Sequence, residues 1–174
     1  MKRIIIIIAL VILGQDLIAQ QEPIQCPCCS ESYSSFDFWI GEWTVYDVPG
    51  KEVGKNTIEK QYDNCVLQEK WISSTNNRGT SYNYYDTKDK TWNQVWVDNS
   101  GFNLVLKGNY DNGKMILKSQ LLDGKKGKYY NQITWVKNDD GSVTQSWDIF
   151  NNKDEKIQEA FKGIYKKIVK TTEN

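Results

Sequence analysis

From residue 43 onward, short runs in which apolar and polar side chains alternate are separated by clusters rich in Asn, Asp and Gly. Alternation with a period of two is the mark of a strand with one buried face. Strands are expected at 43–47, 54–62, 66–73, 80–85, 92–98, 103–110, 114–122, 129–137, 143–150 and 159–167. Turn signals fill the gaps, at 48–51, 74–78, 86–90, 99–101, 111–113, 123–127, 139–141 and 151–154. Asn, Asp and Gly suit such turns because they tolerate positive φ. About ten strands joined by short hairpins predict an all-β fold, an antiparallel up-and-down β-barrel. A two-layer sandwich is the competing layout, but no long crossover supports it. The one helical candidate is a short N-terminal turn at 34–40.

The faces of three strands share a pattern. Leu67, Glu69 and Trp71 project from one side of their strand, Trp92, Gln94, Trp96 and Asp98 from one side of another, and Val143, Gln145 and Trp147 from one side of a third. A polar residue two positions before a Trp thus recurs three times. A small barrel with a dry interior fills it with aliphatic side chains. Trp beside Gln or Glu suits a mixed aromatic and polar cavity lining. The competing reading is a filled interior, in which the polar groups satisfy indole N–H or backbone groups.

Composition fits one domain of 174 residues, with seven Trp and ten Tyr as its unusual feature. Aromatic rings favour pleated, half-buried surfaces. Lys+Arg and Asp+Glu both number 22, so no basic surface for nucleic acid is indicated. The chain contains no His. That excludes Ser-His-Asp and Cys-His catalysis, His-ligated haem and His-bound zinc. No phosphate-binding glycine loop, nucleophile elbow or metal-binding helix motif occurs, and no cofactor is expected.

Residues 1–19 have the order of a secretory signal peptide: Lys2 and Arg3, an apolar run at 4–13, then Gly14, Gln15 and Asp16 before Ala19. The run is half the roughly twenty residues that a membrane span needs. Cleavage after Ala19 would remove Lys2, Arg3 and Asp16, leaving 20 basic against 21 acidic residues. A secreted or periplasmic protein is expected, with no membrane span after cleavage, and either monomeric or homodimeric. Residues 20–35 read as a Cys-rich extended lead-in, 36–168 as the barrel and 169–174 as a polar tail. Four Cys (Cys26, Cys28, Cys29 and Cys65) are an even count in such a chain, and disulfides are the default there. A thiolate metal site is the less favoured alternative, because no second Cys cluster or His completes a tetrahedral set.

The segment Phe36-Asp37-Phe38-Trp39-Ile40-Gly41-Glu42-Trp43 resembles the opening of a bacterial family of lipocalin-like (calycin-type) secreted proteins, a domain of unknown function. Further blocks of similarity follow in order, at 64–71, 79–86, 92–101, 133–135, 145–148 and 161–165, so that the resemblance spans roughly residues 29–167. It implies a barrel distantly similar to fatty-acid-binding proteins, and no established catalytic residues. It implies that Trp43 packs at the barrel base against Lys166 or Lys167. It implies a disulfide between an N-terminal Cys and Cys65, with Cys29–Cys65 first and Cys28–Cys65 next. Cys26 and Cys28 would then bridge to each other, pair between chains or stay free. The family commonly carries Arg and Glu where this chain has Gln132 and Asp148. Gln132 cannot supply the charge or the bidentate fork of Arg, which weakens the expectation of a carboxylate ligand.

Three functional classes follow. The leading one is a barrel binding a small hydrophobic or aromatic molecule, with Trp71, Trp96 and Trp147 as walls and Glu69, Gln94, Gln132 and Gln145 as polar contacts. The second is a His-independent enzyme using Glu69 or Asp98, whose carboxyl pKa would rise if buried beside Trp. For Asp98 the simpler role is that of a turn residue, beside Asn99-Ser100-Gly101. The third is an interaction protein with a filled core and a Cys-rich lead-in making contacts between chains.

Overall fold

The computed structural model describes residues 26–169. The signal-peptide segment and most of the polar tail lie outside the described residues. Eleven strands run β1 (Gly41–Tyr46), β2 (Glu52–Gln61), β3 (Val66–Ser73), β4 (Arg78–Asp86), β5 (Thr91–Asp98), β6 (Asn103–Asp111), β7 (Lys114–Lys118), β8 (Leu122–Gly124), β9 (Gly127–Lys137), β10 (Val143–Asn151) and β11 (Lys156–Lys167). Each pairs antiparallel with its neighbours, and β9–β10 and β11–β1 pairings complete the ring. Because β7 and β8 pair with successive parts of β9, they form one interrupted stave, and the barrel has ten. No sandwich is present.

The sequence expectation of one strand over 114–122 fails at Ser119–Leu121. The Ser119 hydroxyl accepts the Asn131 backbone N–H at 2.9 Å, and the Ser119 N–H donates to the Asn131 carbonyl at 2.8 Å. A side chain that captures a backbone donor competes with the regular ladder. The hairpin at Asn112-Gly113 has positive φ at both residues, 46° and 81°, as a tight two-residue turn requires.

One end of the barrel is closed by the N-terminal segment. Helix α1 (Glu31–Ser34) starts inside the stretch read as an extended lead-in, and a 3-10 turn follows at Asp37–Trp39. The expected helix at 34–40 is therefore shifted and divided. Ser34 and Ser35 turn their hydroxyls back onto the carbonyls of Glu31 and Ser32, and between the two helical pieces Phe36 enters the core. Phe36 is fully buried, stacked on Trp39 (5.0 Å between ring centres) and edge-on to Trp135 (5.1 Å) and Trp92 (5.6 Å). The Trp92 indole N–H donates to the Ser35 hydroxyl at 2.9 Å, and Lys60 pairs with Asp37 at 2.7 Å. Aromatic burial therefore seats the plug, and polar contacts orient it.

The disulfides differ from the expected Cys29–Cys65 bridge. Cys28 joins Cys65 in the β2–β3 loop, and Cys26 joins Cys29. Local geometry explains the choice. The Cys29 N–H reaches back to the Cys26 carbonyl, a turn that leaves residues i and i+3 adjacent and exposed, while Cys28 is buried against the barrel end. All four Cys are thus paired within the chain. The same end carries the Trp43 contact. Lys167 lies over the Trp43 ring, 5.3 Å from its centre, while Lys166 lies over Tyr46 on the opposite face of the strand pair. Lys166 is excluded from Trp43 because neighbouring residues on β11 point to opposite sides.

Candidate functional site

The other end of the barrel is open. A cavity of about 460 Å³ enters there, between the β3–β4 and β5–β6 turns and the start of β11. Its size is that of a small-molecule site. Glu69 and Trp71 reach it from β3, Gln94, Trp96 and Asp98 from β5, and Gln145 and Trp147 from β10. The three strand faces singled out in the sequence therefore all turn toward the barrel axis. Leu104, Ile133, Phe161 and Tyr165 complete the apolar wall, with Phe102 stacked on Trp147 at the rim (6.0 Å).

Three of the large rings lining the cavity pack directly against glycines. A methyl group at Gly79 would overlap the Trp96 indole, one at Gly54 would come within 2.6 Å of Trp71 Cη2, and one at Gly163 within 2.7 Å of Phe161 Cζ. No real Cβ tolerates such approaches, so these glycines make room for the neighbouring rings, and at Gly54 and Gly79 also for the backbone carbonyls of Ile72 (2.5 Å) and Val97 (2.9 Å). Trp147 is fixed differently, through donation of its indole N–H to Asn131 Oδ1 at 2.9 Å.

Glu69 anchors a polar network at the inner part of the cavity. Its two carboxyl oxygens accept from Asn56 Nδ2 (2.7 Å) and the Ser81 hydroxyl (2.6 Å). Asn83 Nδ2 donates to Ser81 Oγ at 2.9 Å, and Gln94 Nε2 to Asn83 Oδ1 at 2.7 Å. On the other side the Tyr165 hydroxyl donates to Gln145 Oε1 and lies 3.5 Å from Asn56 Nδ2. Asn56, Glu69, Ser81, Asn83 and Gln94 are all buried. Among the described residues, no ion pair reaches Glu69. Burial raises its pKa, and the bonds from Ser81 and Asn56 only partly offset this. Burial, together with the Glu69 charge, also holds the Tyr165 phenol protonated far above neutrality.

Asp98 behaves differently. Its Oδ1 accepts from the Ser100 hydroxyl (2.6 Å) and from the backbone N–H groups of Ser100 (2.8 Å) and Phe102 (3.1 Å), and its Oδ2 from Asn77 (3.1 Å). The Ser100 hydroxyl bond is the largest influence, and it lowers the pKa. Asp98 is thus an ionised turn carboxylate at the cavity rim. It cannot hold a proton for acid catalysis near neutrality.

Gln132 is not in the cavity. On β9 the inward residues are Asn131, Ile133 and Trp135, all buried, so alternation sends Gln132 outward, where its amide contacts Thr134. The sequence reading missed Asn56, Ser81, Asn83 and Tyr165. The first three are small polar residues in strands whose faces carry no Trp to draw notice. A usable signal was present, since Ser81 and Asn83 alternate in step, as do Asn56 and Ile58.

Among the described residues, no group of three or more His, Cys, Asp or Glu side chains is placed to hold a metal ion, and no helix is long and apolar enough to cross a membrane. No protein-family model matches the chain, and comparison with curated proteins finds no match. Fold and site together define a closed antiparallel β-barrel, plugged at one end and hollow at the other.

Proposed function

We propose that this chain is a secreted or periplasmic lipocalin-like binding barrel that holds a small, partly apolar molecule in its open end. The observation that carries this reading is the 460 Å³ cavity walled by Trp71, Trp96 and Trp147, with Glu69, Gln94 and Gln145 as groups that orient a ligand. A core packed for stability alone would fill that volume. The charged, apolar and polar order of residues 1–19 and two intrachain disulfides support export to an oxidising compartment. Titrating intrinsic Trp fluorescence with lipids, porphyrins and aromatic metabolites tests the binding role. Saturable quenching by at least one class is expected. No response to any of them, with a crystal structure showing the cavity occluded, would overturn it.

A second reading is favoured by one specific observation, the raised proton affinity of Glu69 inside a cavity. Such a carboxyl group can serve as a general acid or base. If the barrel turns over a substrate, Glu69→Gln removes the activity, while an unchanged rate removes Glu69 from the chemistry. The interaction-protein reading loses support, because no Cys is left for bonds between chains and the interior is not filled.

A further inference from the structure

The ionisable groups on the cavity wall are all acids or phenols. Glu69, Asp98 and Tyr165 line it, and among the described residues neither Lys nor Arg does. Tyr165 is neutral and already donates to Gln145, so the wall offers an anion no positive charge. Asp98 places a fixed negative charge at the rim, held by Ser100 and Asn77. Deeper in, Glu69 is buried and has only neutral hydrogen-bond donors as partners. A carboxylate accepts up to about four hydrogen bonds, and Asn56 and Ser81 supply two. Trp71, Trp96, Trp147 and Phe161 line the same cavity. Aromatic faces attract cations, and most strongly where water is excluded.

We propose that the cavity selects organic amines in their protonated form, with the ammonium group donating to Glu69 and the apolar body lying between the indoles of Trp71, Trp96 and Trp147. The proposal rests on the binding-barrel reading and names the chemical class of its ligand. The bound ammonium supplies the counter-charge that Glu69 lacks in the free protein. Asp98 favours entry of a cation by its field at the rim. A carboxylate ligand meets the opposite situation, with two acids and no base.

Three probes with one skeleton and different charges test it at pH 7.5: 4-phenylbutylamine, 4-phenylbutanol and 4-phenylbutyrate, each titrated by calorimetry and Trp fluorescence. The amine should bind roughly tenfold or more tightly than the alcohol, and the acid more weakly than the alcohol. In Glu69→Gln the amine should lose about tenfold more affinity than the alcohol does. If the alcohol or the acid binds as tightly as the amine, the amine assignment fails and the binding role stands. If none of the three binds while another class of molecule quenches the Trp fluorescence, the amine assignment fails in the same way. Silence toward every class removes both. The wild-type ranking alone decides the matter should Glu69→Gln fail to fold.

Discussion

Trp96 packs against Gly79, its ring occupying the space that any Cβ at that position would need. The two residues are diagonal neighbours on adjacent strands, with Gly79 opposite Asp98 and Trp96 opposite Ser81. The glycine has no positive φ to explain it. Its role is to make room for the indole. Gly79→Ala should therefore push Trp96 toward the lumen and cost about 1–3 kcal/mol, the usual range for overpacking. Urea denaturation of the variant checks this, and a loss under about 0.5 kcal/mol would show that the ring has room to move.

The buried Glu69 carboxyl gives stability a definite pH dependence. Its folded pKa is raised above the ordinary value of about 4.3. Between those two values the folded state holds more protons than the unfolded one, so stability falls as pH rises. The Glu69 contribution is fully favourable below the ordinary carboxyl range and is lost as pH climbs through the raised folded value. Denaturation midpoints measured from pH 4 to pH 8 should show this decline, and Glu69→Gln should flatten it. A variant whose profile parallels that of the wild type would assign the slope to other groups.

The disulfide pairing makes a countable prediction. Replacing Cys26 and Cys29 together by Ser should leave no free thiol in the denatured, unreduced protein, because Cys28 and Cys65 remain joined. A Cys29–Cys65 bridge would instead leave two thiols. Removing the Cys28–Cys65 bridge, which spans 37 positions, should cost about 2–4 kcal/mol, since it fastens the plug to the β2–β3 loop.

Phe36 is the residue on which the plug turns. It is fully buried and touches Phe38, Trp39, Trp92 and Trp135. Phe36→Ala should cost about 3–5 kcal/mol, the range for large aromatic truncations in a core. Thermal unfolding by circular dichroism reads this directly. A small change would mean that the N-terminal segment is an accessory to a barrel closed without it.

Strand number, order and the inward faces of β3, β5 and β10 were legible in the sequence because side-chain alternation is a local property. Trp at 71, 96 and 147 marks those faces. The break at Ser119 was hidden, because it depends on a hydroxyl meeting Asn131 across the sheet. The Cys28–Cys65 choice was hidden too, since it follows from the way the 26–29 turn meets the barrel. Only the family resemblance points Gln132 into the cavity, against its own alternation with buried Asn131 and Ile133. The local pattern was the better guide.

The hollow interior itself is tested most directly by blocking its mouth. Ala160 lines the entrance at a bulge where β10 and β11 shift register, between Glu159, opposite Asp148, and Phe161, opposite Trp147. Titration with the fluorescent probe 1-aminoanthracene should give saturable one-to-one binding to the wild type, and at least a tenfold loss in Ala160→Trp with the fold intact by circular dichroism. Undiminished binding to Ala160→Trp, or none to the wild type, would contradict an open aromatic cavity at this end of the barrel.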